Sequence, residues 1–163
     1  VCKKEIAYSF ARTGIEFFAT YAGNSVGCAI AKATLDTIKS EKLQENALNM
    51  ENYLRQQLKK ELKSFEWVGD VRGMGLFLGV EFIKPIDKKK KDHWGNVVIE
   101  PYGPLCKFVV DYLRFSNVVI SRDGPDENVI KIKPPMVFGE KEADKLVMGI
   151  KKALKAAKAS GQF

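Results

Sequence analysis

The stretch that decides the fold, residues 65–83, has the sequence FEWVGDVRGMGLFLGVEFI. Residues 76–83 are apolar and rich in β-branched and aromatic side chains, which is typical of a buried strand. Residues 65–72 form a weaker strand, and the Gly-Met-Gly sequence at 73–75 predicts a turn between the two. Because so short a connection reverses the chain, the stretch predicts an antiparallel strand pair.

Helical spacing dominates the chain before this strand pair. Residues 26–38 place apolar side chains three or four positions apart, and residues 43–62 repeat the pattern. Asn24 or Ser25 is a suitable N-cap for the first helix. Residues 40–42 predict a break between the two helices.

After the strand pair the pattern alternates between helix and strand. It predicts a charged loop at 84–96, a helix at 105–115, a strand at 118–120, a turn at 122–126, a strand at 129–133 ended by two prolines, and a helix from 140 onward. The element order predicts an α+β fold. We expect a small, mostly antiparallel sheet with helices on one face and a helical N-terminal arm.

Length and composition indicate one globular body. The chain has 163 residues, of which 45% are hydrophobic and 29% charged. This balance excludes a disordered tail, a collagen-like fibre and a coiled-coil rod. No apolar run approaches the roughly 20 residues of a membrane span, so we expect no membrane partner. The opening residues, VCKKE, lack a signal-peptide pattern, and we interpret them as the interior of a longer protein.

The net charge of +7 arises from 27 Lys and Arg against 20 Asp and Glu. Much of the excess lies in Lys88–Lys91 and in the lysines between 151 and 158. We interpret both clusters as solvated surface and expect no nucleic-acid partner, because such partners are usually bound by Arg with interleaved aromatics. A basic, non-catalytic module that binds a polyanion is the alternative from another functional class.

Cysteine and histidine usage restricts the chemistry. Cys2, Cys28 and Cys106 are odd in number and widely spaced, so neither a disulfide framework nor a metal site is predicted. A reducing, intracellular compartment fits this usage. His93 is the only histidine and lies in the charged loop, which argues against a Ser-His-Asp or Cys-His mechanism.

Three segments could carry binding chemistry. Residues 20–25, TYAGNS, open a helix and could hold an anion or be a plain cap; they lack the lysine of a P-loop. Arg72 precedes a Gly-x-Gly that a strand follows, so a Rossmann site is rejected, and Arg72 could hold a carboxylate or form an ordinary ion pair. Lys131 could face a cleft or belong to a solvated edge strand.

Together these segments resemble, in order, the C-terminal part of the class III aminotransferases, which are pyridoxal-phosphate (PLP) enzymes of fold type I. Residues 4–7 resemble the segment after the family's Schiff-base lysine. Residues 20–29 resemble its Thr-aromatic-x-Gly-Asn-Pro stretch, with Ser25 in place of Pro. Residues 71–76 resemble its Arg-Gly-x-Gly-Leu turn, and residues 131–136 resemble its Arg-x-x-Pro-Pro-Leu segment.

Residues 121–125, SRDGP, and 128–136, NVIKIKPPM, are most similar to one branch of the class. That branch contains alanine–glyoxylate aminotransferase 2-like proteins and phospholyases that eliminate phosphate from phosphoethanolamine. Lys131 stands where several aminotransferases have an Arg that grips the substrate carboxylate, and Lys lacks the bidentate fork. This favours a phospholyase over the alternative, an alanine–glyoxylate-type transaminase.

The resemblance implies a division of roles. The imine-forming lysine and the acid at the pyridine nitrogen would lie before Val1, so the chain holds no catalytic residue and is expected to be inactive alone. Thr20 would reach the PLP phosphate of the other subunit in a homodimer, with Gly23 and Asn24 in the same cofactor-binding turn. Arg72 and Lys131 would bind a small amino or phospho-amino substrate.

The implied organisation has three parts. Residues 1–24 would be a remnant of the large domain with the cofactor turn, residues 25–63 the connecting helices, and residues 64–163 the C-terminal small domain. The expected compartment is mitochondrial or cytoplasmic. A regulatory isoform that dimerises with the full enzyme is a further possibility.

Overall fold

The computed structural model describes residues 2–163. These residues form five helices and four strands, in the order α1 (Lys4–Ala11), α2 (Ser25–Ser40), α3 (Leu43–Leu62), β1 (Val68–Met74), β2 (Phe77–Phe82), α4 (Gly103–Phe115), β3 (Ser121–Asp123), β4 (Val129–Ile132) and α5 (Glu140–Ser160).

Three sequence predictions need correction. The helix α1 was not predicted, because Ile6, Tyr8 and Phe10 also recur every second residue, as in a strand. The strand predicted at 118–120 is wrong, since β3 begins at Ser121 and takes Arg122 and Asp123 from the predicted turn. The turn between β1 and β2 consists of Gly75 and Leu76 rather than 73–75, because Met74 still pairs with Phe77.

The sheet is antiparallel throughout, with the strand order β1-β2-β4-β3. Alternate side chains of a strand point to opposite faces. Leu78, Val80 and Phe82 of β2 and Ile130 and Ile132 of β4 are buried on one face. The helices α3, α4 and α5 cover this face, so the predicted α+β architecture is confirmed.

The covering helices use regularly spaced apolar residues. Those of α3 recur every four positions at Met50, Leu54, Leu58 and Leu62, which places them on one side of the helix. This side packs against α5, which buries its own stripe of small and aliphatic residues, among them Ala143, Leu146, Val147, Ile150, Ala153, Leu154 and Ala157.

The chain divides into two compact units. The N-terminal unit ends at Glu41 and contains α1 and α2; the C-terminal unit, Lys42–Phe163, contains everything else. Lys42 lies in the left-handed region, with φ 51°, between α2 and α3. None of the described residues of the N-terminal unit is buried. The predicted division at residues 24 and 63 stays a prediction.

Candidate functional site

The turn before α2 is shaped by Gly23 and Asn24. Gly23 has φ 71°, in the region that favours glycine. The Asn24 Oδ1 atom accepts hydrogen bonds from the backbone N–H of Val26 at 2.9 Å and of Gly27 at 3.1 Å. The predicted N-cap is therefore Asn24, and its side chain satisfies two of the free donors of the helix start.

Thr20 lies in the same turn with its side chain exposed. Within residues 2–163, its hydroxyl takes part in no hydrogen bond. A Cβ built on Gly23 would meet no heavy atom of the described chain within 4 Å, so the turn borders open space. Because Asn24 occupies two helix-start donors, an anion bound here would rely on the Thr20 hydroxyl and on the other backbone N–H groups of the turn.

The second candidate region is the sheet face opposite the helices, here called the open face. It carries a depression of about 600 Å³ lined by Arg72, Met74, Phe77, Gly79, Val129 and Lys131, among others. Met74 is 82% exposed and Phe77 58% exposed. The depression therefore combines exposed apolar walls with two cations.

Arg72 is held by two carboxylates of the open face. Its guanidinium donates to Glu81 and, at 3.3 Å, to Asp70. The hydrogen bond to Glu81 raises the pKa of Arg72, with a further contribution from Asp70. The sequence interpretation of Arg72 as a member of an ion pair is thus confirmed, whereas its contact with substrate stays a prediction.

Lys131 is paired in the same way. Its Nζ atom lies 2.6 Å from the Asp123 carboxylate on the neighbouring strand β3, and this contact lowers the pKa of Asp123. The open face therefore carries two cations and three carboxylates. An anionic ligand would therefore meet cations that each already contact a carboxylate.

Gly79 lies opposite Arg72 on one side and opposite Lys131 on the other. The three residues therefore form a row across β1, β2 and β4. A Cβ at Gly79 would lie 2.9 Å from the Cγ1 atom of Val129. The lack of a side chain at Gly79 leaves space on the open face between the two cations.

Sequence reasoning did not identify the partners of these residues. The carboxylates of Asp70, Glu81 and Asp123 compensate the cations, and Glu51 and Arg55 of α3 contact the turn beside Arg72. The only signal for the latter pair was the four-residue spacing of Glu51 and Arg55 on a predicted helix. The residues predicted to bind the cofactor, such as Thr20, and those predicted to bind substrate, Arg72 and Lys131, fall in different units.

The lysine-rich loop is partly neutralised. Lys84 and Lys90 both pair with Glu100, which lowers the pKa of that carboxyl to about 2. This reduces the positive charge that the loop offers to a polyanion. The basic binding module therefore gains no support from the loop.

The described residues offer neither a metal site nor a reactive cysteine pair. No group of three or more His, Cys, Asp or Glu in residues 2–163 is placed to hold a metal ion. Cys2 and Cys28 are exposed and Cys106 is buried, all with free thiols, and burial raises the pKa of Cys106 to about 12.

Among the helices of residues 2–163, none combines the length and apolar character required to cross a membrane.

Comparison with known proteins identifies the family in which this architecture occurs. A small antiparallel sheet covered by helices on one face, preceded by a helical arm, also occurs in the fold type I PLP aminotransferases among the solved structures that match. The family model described as aminotransferase class-III matches residues 1–154. The chain belongs to this family.

The chain is similar to proteins of two activities. It is 40% identical to an alanine–glyoxylate aminotransferase 2-like protein of Drosophila melanogaster, over 96% of the chain and 30% of the relative. It is 34% identical to ethanolamine-phosphate phospho-lyase homolog 1 of Caenorhabditis elegans, over 85% of the chain and 27% of the relative.

One solved structure, a phospholyase from Arthrobacter in complex with phosphoethanolamine, superposes with a TM-score of 0.80 and 33% identity. The match covers 94% of this chain and 34% of that protein. The chain therefore spans about a third of the length of the relatives it matches.

Proposed function

We propose that the chain is the C-terminal part of a homodimeric, PLP-dependent phospholyase that eliminates phosphate from phosphoethanolamine-like substrates. The observation that carries the proposal is Lys131. It presents a single ammonium group at the open face, at the position where the family resemblance leads us to expect a carboxylate-gripping Arg. Two of the relatives are named for phospholyase activity, which supports the same choice.

The turn at Thr20–Asn24 suits the phosphate of PLP. It combines an exposed hydroxyl with open space at Gly23. In the proposal the Thr20 hydroxyl donates to the phosphate, Gly23 provides clearance, and Asn24 fixes the start of α2. When bound, PLP supplies an electron sink for bond cleavage at the substrate carbon.

The open face would hold the other end of the substrate. Lys131 would exchange its contact with Asp123 for the anionic group of the ligand, and Arg72, kept in place by Asp70 and Glu81, would donate to it from the guanidinium N–H groups that these carboxylates leave free. The overall reaction consumes one water per phosphoethanolamine and yields phosphate, an aldehyde and ammonia. A substrate without a carboxylate requires no Arg fork.

The 163 residues alone are proposed to be inactive. The family resemblance places the cofactor-linking lysine before Val1, in the parent protein, so neither Lys3 nor Lys4 takes this role. The purified chain should therefore form no stoichiometric imine with PLP at one defined lysine, and such an imine, located by borohydride reduction and peptide mapping, would contradict this part of the proposal. We propose an intracellular location, in mitochondria or cytoplasm.

The activity is tested on the full-length protein loaded with PLP. Phosphate release from phosphoethanolamine is compared with amino transfer from alanine to glyoxylate. We expect phosphate release to dominate. Amino transfer without phosphate release would refute the phospholyase and support the transaminase, the second candidate, which the 40% identity to the Drosophila protein favours.

The cofactor role is tested with Thr20→Ala in the full-length protein. Thr34→Ala is the matched control, because Thr34 is an exposed threonine of α2 whose hydroxyl donates to the Ile30 carbonyl. We expect Thr20→Ala to weaken PLP retention on dialysis about tenfold, the loss of one hydrogen bond to a charged group. Equal retention in both variants would contradict the role of Thr20.

A further inference from the structure

Two charged side chains of α3 contact the turn that joins β1 to β2. The Arg55 guanidinium donates to the carbonyl of Gly73 at 2.6 Å and to that of Val71 at 3.4 Å. The Glu51 carboxylate accepts from the backbone N–H of Gly75 and pairs with Arg55 at 2.7 Å. One helix thus contacts the backbone on both sides of Met74.

These contacts are partly shielded from water. The side chain of Glu51 is 15% exposed and that of Arg55 is 30% exposed. The N–H of Gly75 and then Arg55 lower the pKa of Glu51, so the carboxyl stays ionised. Hydrogen bonds to charged groups are stronger than neutral ones, and shielding preserves them.

The backbone that α3 contacts, at the end of β1 and in the turn, contains two glycines with positive φ. Gly73 has φ 143° and Gly75 has φ 57°, both outside the range that other residues favour. A Cβ at Gly73 would lie 2.2 Å from the carbonyl oxygen of Phe77, so only glycine fits. Glycine also has the most conformations to lose on folding, and the contacts from α3 add to the restraint that strand pairing gives.

The restrained segment borders the depression of the open face. Arg72 precedes Gly73, Met74 follows it, and all three line the depression. A displacement of the turn would move the Arg72 guanidinium and the Met74 side chain together. The contacts from α3 therefore reach the candidate substrate surface through two backbone carbonyls and one backbone N–H.

We propose that Glu51 and Arg55 are positioning residues that fix the β1–β2 turn and thereby the substrate-facing placement of Arg72 and Met74. The inference rests on the proposed function of the depression as a substrate site. Phosphate elimination does not itself require that α3 position this turn.

The test compares two variants of the full-length, PLP-loaded protein. Glu51→Gln keeps the shape of the side chain and removes its charge. The control is Glu61→Gln, because Glu61 lies on the same helix, is 20% exposed and pairs with Lys151 of α5 at 2.6 Å, away from the turn. Both variants remove a carboxylate of α3 that forms ion pairs, so a merely structural role predicts the same result for both.

We expect Glu51→Gln to raise the KM for phosphoethanolamine about tenfold with kcat within about twofold, and Glu61→Gln to change neither. Arg55→Lys should raise KM as well, because Lys cannot reach two carbonyls with a planar fork. Equal KM values for Glu51→Gln and Glu61→Gln in an active protein would overturn the proposal.

A second measurement does not depend on the reaction. Hydrogen–deuterium exchange of the peptide covering 72–78 should accelerate about tenfold in Glu51→Gln and stay unchanged in Glu61→Gln. A wild-type protein without phosphate release would refute the proposed function, and this exchange comparison would still decide whether α3 restrains the turn. Unchanged exchange in Glu51→Gln would overturn the restraint, whatever the activity.

Discussion

The two units of the chain differ in how far their apolar side chains are exposed to solvent. Ile30 of α2 is 63% exposed, whereas Leu58 of α3 is fully buried, although both belong to the same three-to-four-residue spacing. The helix α2 is supported locally, by the Asn24 cap and a Lys32–Asp36 pair at 2.5 Å. The helix α3 is supported by packing against α5 and β1. Spacing thus predicts a helix without predicting what covers it.

The largest expected difference in unfolding free energy is between alanine variants of two phenylalanines, each made in the 163-residue chain. Phe82→Ala empties a fully buried position of β2 and should cost about 3–5 kcal/mol of unfolding free energy. Phe18→Ala removes a side chain that is 85% exposed and should change it by less than about 0.5 kcal/mol. Urea titration of both variants provides the comparison. A similar loss for Phe18→Ala would contradict the difference between the units.

The next contrast is between two glycines with positive φ. Gly73→Ala must force a Cβ against backbone atoms of Phe77 and should cost about 3 kcal/mol through strain and overpacking. Gly23→Ala meets open space and should cost only about 1 kcal/mol, the penalty of the left-handed conformation. Thermal unfolding followed by circular dichroism measures both. Equal costs would show that backbone conformation outweighs crowding.

A smaller effect is expected at the start of α2. Asn24→Ala removes the acceptor of two helix-start N–H groups and should cost the helix about 1 kcal/mol. Amide exchange of Val26 and Gly27 should therefore become faster. Ser25→Ala, one position later, serves as the control and should leave both rates unchanged. Unaltered exchange in Asn24→Ala would show that α2 does not depend on its cap.

The smallest effect concerns pH and the loop of the C-terminal unit. Lys84 and then Lys90 hold the pKa of Glu100 at about 2 instead of 4.5. Because the folded pKa is the lower one, these pairs stabilise the loop above pH 4.5 and are lost as the pH falls towards 2. Lys84→Met should raise the Glu100 pKa in an NMR titration, whereas Lys88→Met should not. A pKa unaffected by Lys84→Met would contradict the pairing.

Much of the C-terminal unit could be predicted because the period of its apolar residues corresponds to their burial in a packed core. The alternation in β2 and the stripe of α5 each match a buried surface. The helix α1 was missed because Ile6, Tyr8 and Phe10 recur every second residue, although Ile6 and Phe10 also have the four-residue spacing of a helix. A helix of eight residues is too short for these two periods to be told apart.

The displacement of β3 has a different cause. Val118, Val119 and Ile120 have the residue types of a strand, yet Val119 is 94% exposed. Pairing with β4 instead selects Ser121–Asp123, opposite Val129–Lys131. Register between distant segments decides this, and a single-sequence pattern does not contain it.

The candidate site was predictable only as a set of isolated residues. The motifs indicated Thr20, Arg72 and Lys131, but the partners of Arg72 and Lys131 depend on the register of β1 with β2 and of β3 with β4. Arg72 and Glu81 become neighbours only because Arg72 lies opposite Gly79, two residues from Glu81. The pairing of the two cations with carboxylates on the open face could therefore not be predicted from the sequence.

The strand order β1-β2-β4-β3 also has a consequence for synthesis on the ribosome. β2 joins β1 through a two-residue turn, but its other edge pairs with β4, which emerges only after the lysine-rich loop, α4 and β3. Distant pairing is slow because a long loop must close first. During that interval one edge of β2, with its apolar sequence FLGV, is unpaired on the nascent chain. Charged neighbours such as Glu81 and the lysines that follow it would then protect it from pairing with other chains.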